Sequence, residues 1–177
     1  MITIKNIETK EEYKQAQNLY KQFFSENSNS SYTNRFIING FSRKVMRDIK
    51  DTKSREFFVA IDEDANKILG FIRIRTWLDD EGHISHFFIT PNFRNKSVKT
   101  MEGNKKIALL LYKRAIEYFN ENSINTVTTS VSEDNKKMQS ALNRVGFEVV
   151  NPNQGILYSA KTPTLVEKLE PMIERQK

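Results

Sequence analysis

Residues 82–119 read GHISHFFITPNFRNKSVKTMEGNKKIALLLYKRAIEYF, and the change of period inside this stretch decides the fold. Ile84, Phe87, Phe88 and Ile89 are apolar β-formers in a short run that stops at Pro91. From Ile107 the period becomes helical, because Ile107, Leu110, Leu111, Ala115, Tyr118 and Phe119 fall on one face, with Lys113, Arg114, Glu117 and Glu121 on the other. The stretch is therefore strand, loop, helix. A loop that feeds a helix N-terminus gathers free N–H groups at the positive end of the helix dipole, a suitable place for a phosphate. Arg94, Lys96, Lys99, Lys105 and Lys106 surround that point with positive charge.

Outward from this stretch, composition sets limits. The chain has 177 residues, 38% of them hydrophobic and 12 of them Phe, enough for one globular domain over residues 1–177 with a core of its own. Cysteine is absent, which excludes disulfides, thiolate nucleophiles and cysteine zinc sites; two histidines would need carboxylate help, and no metal is expected. No apolar leader and no run of about 18 apolar residues is present, so neither secretion nor a membrane span is expected and the cytoplasm is the expected location. The charge of +6 favours acidic partners: a nucleotide-like cofactor, nucleic acid or an acidic protein.

In chain order, Ile2, Ile4 and Ile7 indicate a first strand, and Thr9-Lys10-Glu11-Glu12 is a capping box opening a helix with Tyr13, Ala16, Leu19, Tyr20, Phe23 and Phe24 on one stripe. Residues 36–49 show a second helical pattern. Residues 55–61 and 67–77 read as an antiparallel hairpin, and the strand from Gly82 pairs next to it. Residues 124–131 form a strand that must run parallel to the Gly82 strand if the helix from Ile107 is a crossover. Asn135 to Val145 is a helix ending at Gly146, residues 147–150 and 155–160 a last hairpin, and residues 164–175 a closing helix.

This order, with three local matches, resembles the GNAT superfamily of acyl-CoA-dependent N-acyltransferases over nearly the whole chain. Ile89-Thr90-Pro91-Asn92-Phe93-Arg94-Asn95-Lys96 is similar to the family's V-x-P-x-[YF]-R-G-[KR] stretch, Ile107-Ala108-Leu109-Leu110 to the start of the helix behind it, and Asn135 with Gly146-Phe147 to its N-x(10)-G-F spacing. The resemblance implies an α/β (α+β) fold: a mixed, mostly antiparallel twisted sheet of about six to seven strands with helices on both faces. It implies transfer of an acetyl group from acetyl-CoA to a primary amine of a small molecule or protein. The pyrophosphate would lie on Arg94, Asn95, Lys96, Ser97, Val98 and Lys99, the thioester carbonyl on an N–H within Phe87, Phe88 and Ile89, and Asn135 would help position the cofactor. His83 stands where many members carry a carboxylate base, and by alternation Ser85 shares its face while His86 points to the other.

Several readings stay open at this stage. The family's R-x-x-G-x-G/A loop lacks both glycines here, so either a longer loop wraps the phosphates or the helix starts early and blocks them. The family's general-acid tyrosine is Leu142 in this chain, which leaves Tyr112 and Tyr158 as other donors. His83 also fits a capped strand end, and Asn135 a helix N-cap. The alternative function is a catalytically degenerate domain that binds a macromolecular or acidic partner. Arg35, Arg43, Lys44, Arg47, Lys50 and Lys53 admit RNA or a solvated helix face. The resemblance makes a homodimer an expectation.

Overall fold

The computed structural model describes residues 1–27, 55–76, 80–151 and 156–176. In chain order the strands are β1 (Ile2–Asn6), β2 (Arg55–Asp62), β3 (Lys67–Thr76), β4 (Glu81–Ile89), β5 (Ser97–Thr100), β6 (Gly103–Lys106), β7 (Thr126–Val131), β8 (Glu148–Asn151) and β9 (Ile156–Lys161). The helices are α1 (Lys10–Asn27), α2 (Ile107–Glu121), α3 (Lys136–Arg144) and α4 (Thr162–Glu174). The second helical pattern at 36–49, its basic cluster, Trp77 and the turn at 152–155 lie outside the described residues.

Local chemistry explains where the elements start. Thr9 Oγ1 accepts from the Glu12 N–H at 3.2 Å, and Glu12 Oε2 accepts from the Thr9 and Glu8 N–H groups at 3.1 and 2.8 Å, the expected capping box. Lys5 Nζ lies 3.0 Å from Glu12 Oε1. Burial alone would raise the Glu12 carboxyl, but those N–H donors and Lys5 outweigh it and hold it below the usual carboxylate range. At the other end of the chain, Gly146 takes φ +99° after α3, the left-handed position that glycine fills without strain.

One sheet runs in the order β1-β2-β3-β4-β7-β9-β8, antiparallel except for the parallel pair β4 and β7 that α2 connects. The central strands are apolar on both faces because both are covered. Phe57, Val59, Ile61, Phe71 and Phe88 pack with Ala16, Leu19 and Tyr20 of α1. Phe58, Ala60, Ile72, Ile74 and Ile84 form the opposite core with Leu111, Ala115 and Phe119 of α2 and Leu165 and Leu169 of α4. The buried stripe of α2 includes Tyr112 and Ile116, whereas Leu110 and Tyr118 are half-buried, so the helix is rotated slightly from the face read in the sequence.

Two expectations are corrected. Residues 97–106, read as open loop, fold into the antiparallel hairpin β5–β6, with Thr100 Oγ1 donating to the Gly103 carbonyl and Gly103 at φ +98° closing the turn. Second, the alternation along β4 is broken. Arg73 pairs with His86 and Ile74 with Ile84, so Ser85 opposes no residue of its own and forms a bulge. Arg75 and Arg73 share one face of β3; their partners His83 and His86 therefore share a face too, opposite the side where Gly82 and Ile84 meet α2.

Candidate active site

Among the described residues the sheet has one parallel pair, and it opens there. β4 pairs with β7 from Glu81–Thr126 to Ile84–Thr129, where Thr129 Oγ1 donates to the Ile84 carbonyl at 3.0 Å. Beyond that point β4 continues to Ile89 and β7 to Val131 without pairing, although β4 stays paired with β3 and β7 with β9. Among the described residues a gap in the ladder thus divides the sheet next to the bulge, and along this cleft the β4 edge from Ser85 to Ile89 has no ladder partner on the β7 side. Such an edge can accept an extended ligand or aim an N–H at a carbonyl oxygen.

On the α1 side of the cleft mouth the bulge gathers polar groups within an apolar surround. His83 Nδ1 lies 3.0 Å from Thr128 Oγ1, which in turn lies 2.9 Å from Glu81 Oε1. Burial lowers the His83 pKa from its ordinary 6.5, Arg75 lowers it further and Glu81 opposes them. His83 is therefore neutral at pH 7. His86 Nδ1 sits 2.7 Å from Tyr20 Oη among the rings of Phe23 and Phe24, and burial, then Arg73, Arg75 and His83, brings its pKa down to about 3. The buried Arg73 guanidinium is 3.5 Å from the same nitrogen. Ser85 Oγ, at the bulge, is buried without a hydrogen-bond partner among the described residues.

The residues expected at the phosphates separate into two groups. Arg94 is held to the α1 side: its Nε donates to the Ile89 carbonyl at 2.8 Å, its Nη2 pairs with Glu26 of α1, and its guanidinium lies over the Phe88 ring at 5.1 Å. Asn95 takes φ 61° at the turn into β5, Lys96, Ser97 and Lys99 are exposed, and Val98 packs on the main core. Lys105 is buried, donating to the Ile173 carbonyl of α4 at 2.7 Å, and the Lys106 N–H donates to Gln176 Oε1 at 2.7 Å. α2 thus starts at Ile107, after a longer connection, and does not begin early.

Other candidates fall as follows. Asn135 is the N-cap of α3, its Oδ1 accepting from the Met138 N–H at 3.1 Å. Leu142 is core. Phe87 faces α2, 5.1 Å from the Tyr112 ring, whereas Phe88 faces α1. Tyr112 is buried with no hydrogen-bond partner for its hydroxyl among the described residues, and burial pushes its phenol pKa up. Tyr158 is buried opposite Thr129. Sequence reading missed Glu81, Thr128, Tyr20 and the shared face of His86. A threonine on the neighbouring strand, 45 positions on in the sequence, carries no local pattern, and the bulge could be read only from the pairing.

A mixed sheet with a bulged β4 that parts from a parallel neighbour, backed by a crossover helix, defines the fold of an acetyltransferase. The description "Acetyltransferase (GNAT) family" matches residues 13–147, and the chain belongs to that family. Solved structures agree on the fold. The PaiA N-acetyltransferase from Thermoplasma acidophilum, solved in complex with coenzyme A, is similar at 15% identity and a TM-score of 0.73, covering 91% of this chain and 99% of that one. Ard1 from Thermoplasma volcanium is similar at 17% identity and 0.65, covering 90% and 97%. The ribosomal-protein-S18-alanine N-acetyltransferase from Escherichia coli is similar at 14% identity and 0.64, covering 92% and 94%. Curated protein sequences give no match. Among the described residues no helix is long and apolar enough to cross a membrane, and no group of residues is arranged to hold a metal ion.

Proposed function

We propose that this protein moves an acetyl group from acetyl-CoA to a primary amine by direct attack, within a single domain over residues 1–177 working in the cytoplasm. The observation that carries the reading is that the β4 edge at the cleft, from Ser85 to Ile89, has no ladder partner on the β7 side among the described residues. The pantetheine arm would pair with this edge, and an N–H of Phe87, Phe88 or Ile89 would hold the thioester oxygen, a contact that changes rate by about 10²–10³-fold. The N–H groups and cations from Asn95 to Lys99 would meet the pyrophosphate, with Lys96 and Lys99 exposed for that purpose. Arg94 serves this loop by tying it to Glu26 and the end of β4. Asn135 orders the start of α3 on the family's cofactor side.

The chemistry balances with residues in hand. The neutral amine nitrogen attacks the thioester carbonyl carbon, a C–N bond forms, and the C–S bond breaks as the tetrahedral adduct collapses. His83 takes the proton that the nitrogen loses, and the coenzyme A thiolate leaves to be protonated by solvent. Ser85, beside His83 at the bulge, would contact the acceptor. A second reading, a family member that binds a partner without catalysis, draws on the engagement of Arg94 with Glu26 and on the hairpin that replaces a glycine-rich loop.

The test is thiol release from acetyl-CoA with a panel of polyamines, α-amino peptides and lysine peptides, with product mass recorded. Amine-dependent release with an acetylated product is expected. Thiol release that no amine accelerates, from a protein that binds acetyl-CoA, would contradict amine acetylation.

A further inference from the structure

We propose that Thr128 and Glu81 form a hydrogen-bond relay that fixes the tautomer of His83, making Nε2 its basic nitrogen and Thr128 a positioning residue for the acetyl transfer proposed above.

Counting protons gives the direction of the relay. The Thr128 hydroxyl has one hydrogen and faces three acceptors: Glu81 Oε1 at 2.9 Å, His83 Nδ1 at 3.0 Å and the Gly82 carbonyl at 3.3 Å. If that hydrogen went to Nδ1, the hydroxyl oxygen would face the carboxylate oxygen at 2.9 Å with no proton between them. A carboxylate accepts only, and charge-assisted bonds are the stronger ones, so the hydrogen goes to Glu81. The contact with His83 must then be Nδ1–H donating to Thr128 Oγ1. A neutral imidazole with its proton on Nδ1 carries its lone pair on Nε2.

The parts come from different strands held in register. Parallel pairing sets Glu81 opposite Thr126 on the first of its four rungs and His83 opposite Thr128 on the third, one rung before the pairing of β4 and β7 ends at Ile84 and Thr129. Thr128 is buried, so water competes little for its hydroxyl. The proton that Nε2 gains from the acceptor nitrogen creates an imidazolium whose Nδ1–H stays on Thr128, with the Glu81 charge behind it. Among the described residues the groups whose charge bears on this ring are Arg75 of β3, Glu81 and His86 of β4. Arg75 disfavours the imidazolium and Glu81 favours it.

The experiment is nitrogen NMR of protein carrying ¹⁵N-histidine, with pH profiles of kcat/KM, for the wild type, Thr128→Val, Thr128→Ser and Glu81→Gln. The free wild type is expected to show His83 protonated at Nδ1. Thr128→Val should move population to the Nε2–H form and lower plateau kcat/KM by roughly 10-fold or more, because a wrong tautomer withholds the base. Thr128→Ser should restore both. Glu81→Gln should move the acid limb of kcat/KM to lower pH, since the charge favouring the imidazolium is gone. A wild-type His83 protonated at Nε2, or a Thr128→Val protein with unchanged tautomer and profile, would overturn the relay. The NMR readout needs no acceptor: an Nδ1–H tautomer lost in Thr128→Val and regained in Thr128→Ser supports the relay even if no amine is acetylated, which would instead count against the proposed reaction.

Discussion

His83→Ala is expected to lower kcat/KM for acetyl transfer by about 10²–10⁴-fold, the usual range for a general base. The loss should sit in the plateau as well as in the acid limb. In the wild type, burial and Arg75 hold the imidazole pKa below its ordinary 6.5, so the ring is already neutral at pH 7 and the acid limb falls below 6.5. As pH falls through that limb, Nε2 gains a proton before it meets substrate and activity disappears. Without the imidazole this limb should vanish, leaving the slower reaction dependent on the acceptor amine alone. Binding of acetyl-CoA should be nearly unchanged, since the proposed role of His83 is at the amine and not at the thioester. Equal kcat/KM and an unshifted acid limb in the variant would remove His83 from the chemistry.

The largest stability effect is expected at Gly82. A Cβ there would lie 2.4, 2.6 and 2.8 Å from three ring carbons of Phe119, a fully buried side chain of the α2 core. A flexible neighbour could yield, but this ring is enclosed by the core and α2 carries it rigidly. Overpacking of this kind costs about 1–3 kcal/mol and more when nothing can move. Gly82→Val should therefore lose roughly 3 kcal/mol or more, a large share of the about 5–15 kcal/mol that holds a domain folded. Urea unfolding measures it directly. Adding Phe119→Leu to Gly82→Val should recover part of the loss, so that the double variant is less destabilised than the sum of the two changes. A Gly82→Val protein as stable as the wild type would mean that Phe119 does not pack on β4 as described.

Much of the fold was legible because its signals are local. The Thr9–Glu12 box, the switch from strand to helical period at Ile107, and Asn135 with Gly146 mark element ends that the structure places within a residue or two. The parallel pairing of β4 and β7 followed from the crossover helix between them. The hairpin β5–β6 was not legible: Val98 and Met101 are the apolar residues of 97–106, too few to show a two-residue period. Its stability comes instead from distant contacts, Lys105 on the Ile173 carbonyl and Lys106 on Gln176.

The site was legible in part for the same reason. The family resemblance proposes His83, eight residues before Pro91, but its contact with Thr128 depends on strand register, which no local pattern carries. The bulge at Ser85 shifts every later residue of β4 by one face, so strict alternation misassigned His86. Arg94 illustrates a different limit. A cation beside a phosphate loop suits an anion, yet here Arg94 pairs with Glu26 of α1, 68 positions away in the sequence.

The most direct test of the central claim, that the divided sheet holds acetyl-CoA, is thermal melting of the purified protein alone, with acetyl-CoA and with adenosine as a control for non-specific nucleoside binding. Ligand at about 100 times its Kd adds about 2.7 kcal/mol, which for a chain of this size raises Tm by roughly 5–10 °C. A rise of that order with acetyl-CoA, absent with adenosine, is the expected result. An unchanged Tm at millimolar acetyl-CoA would contradict the claim and leave the partner-binding reading in its place.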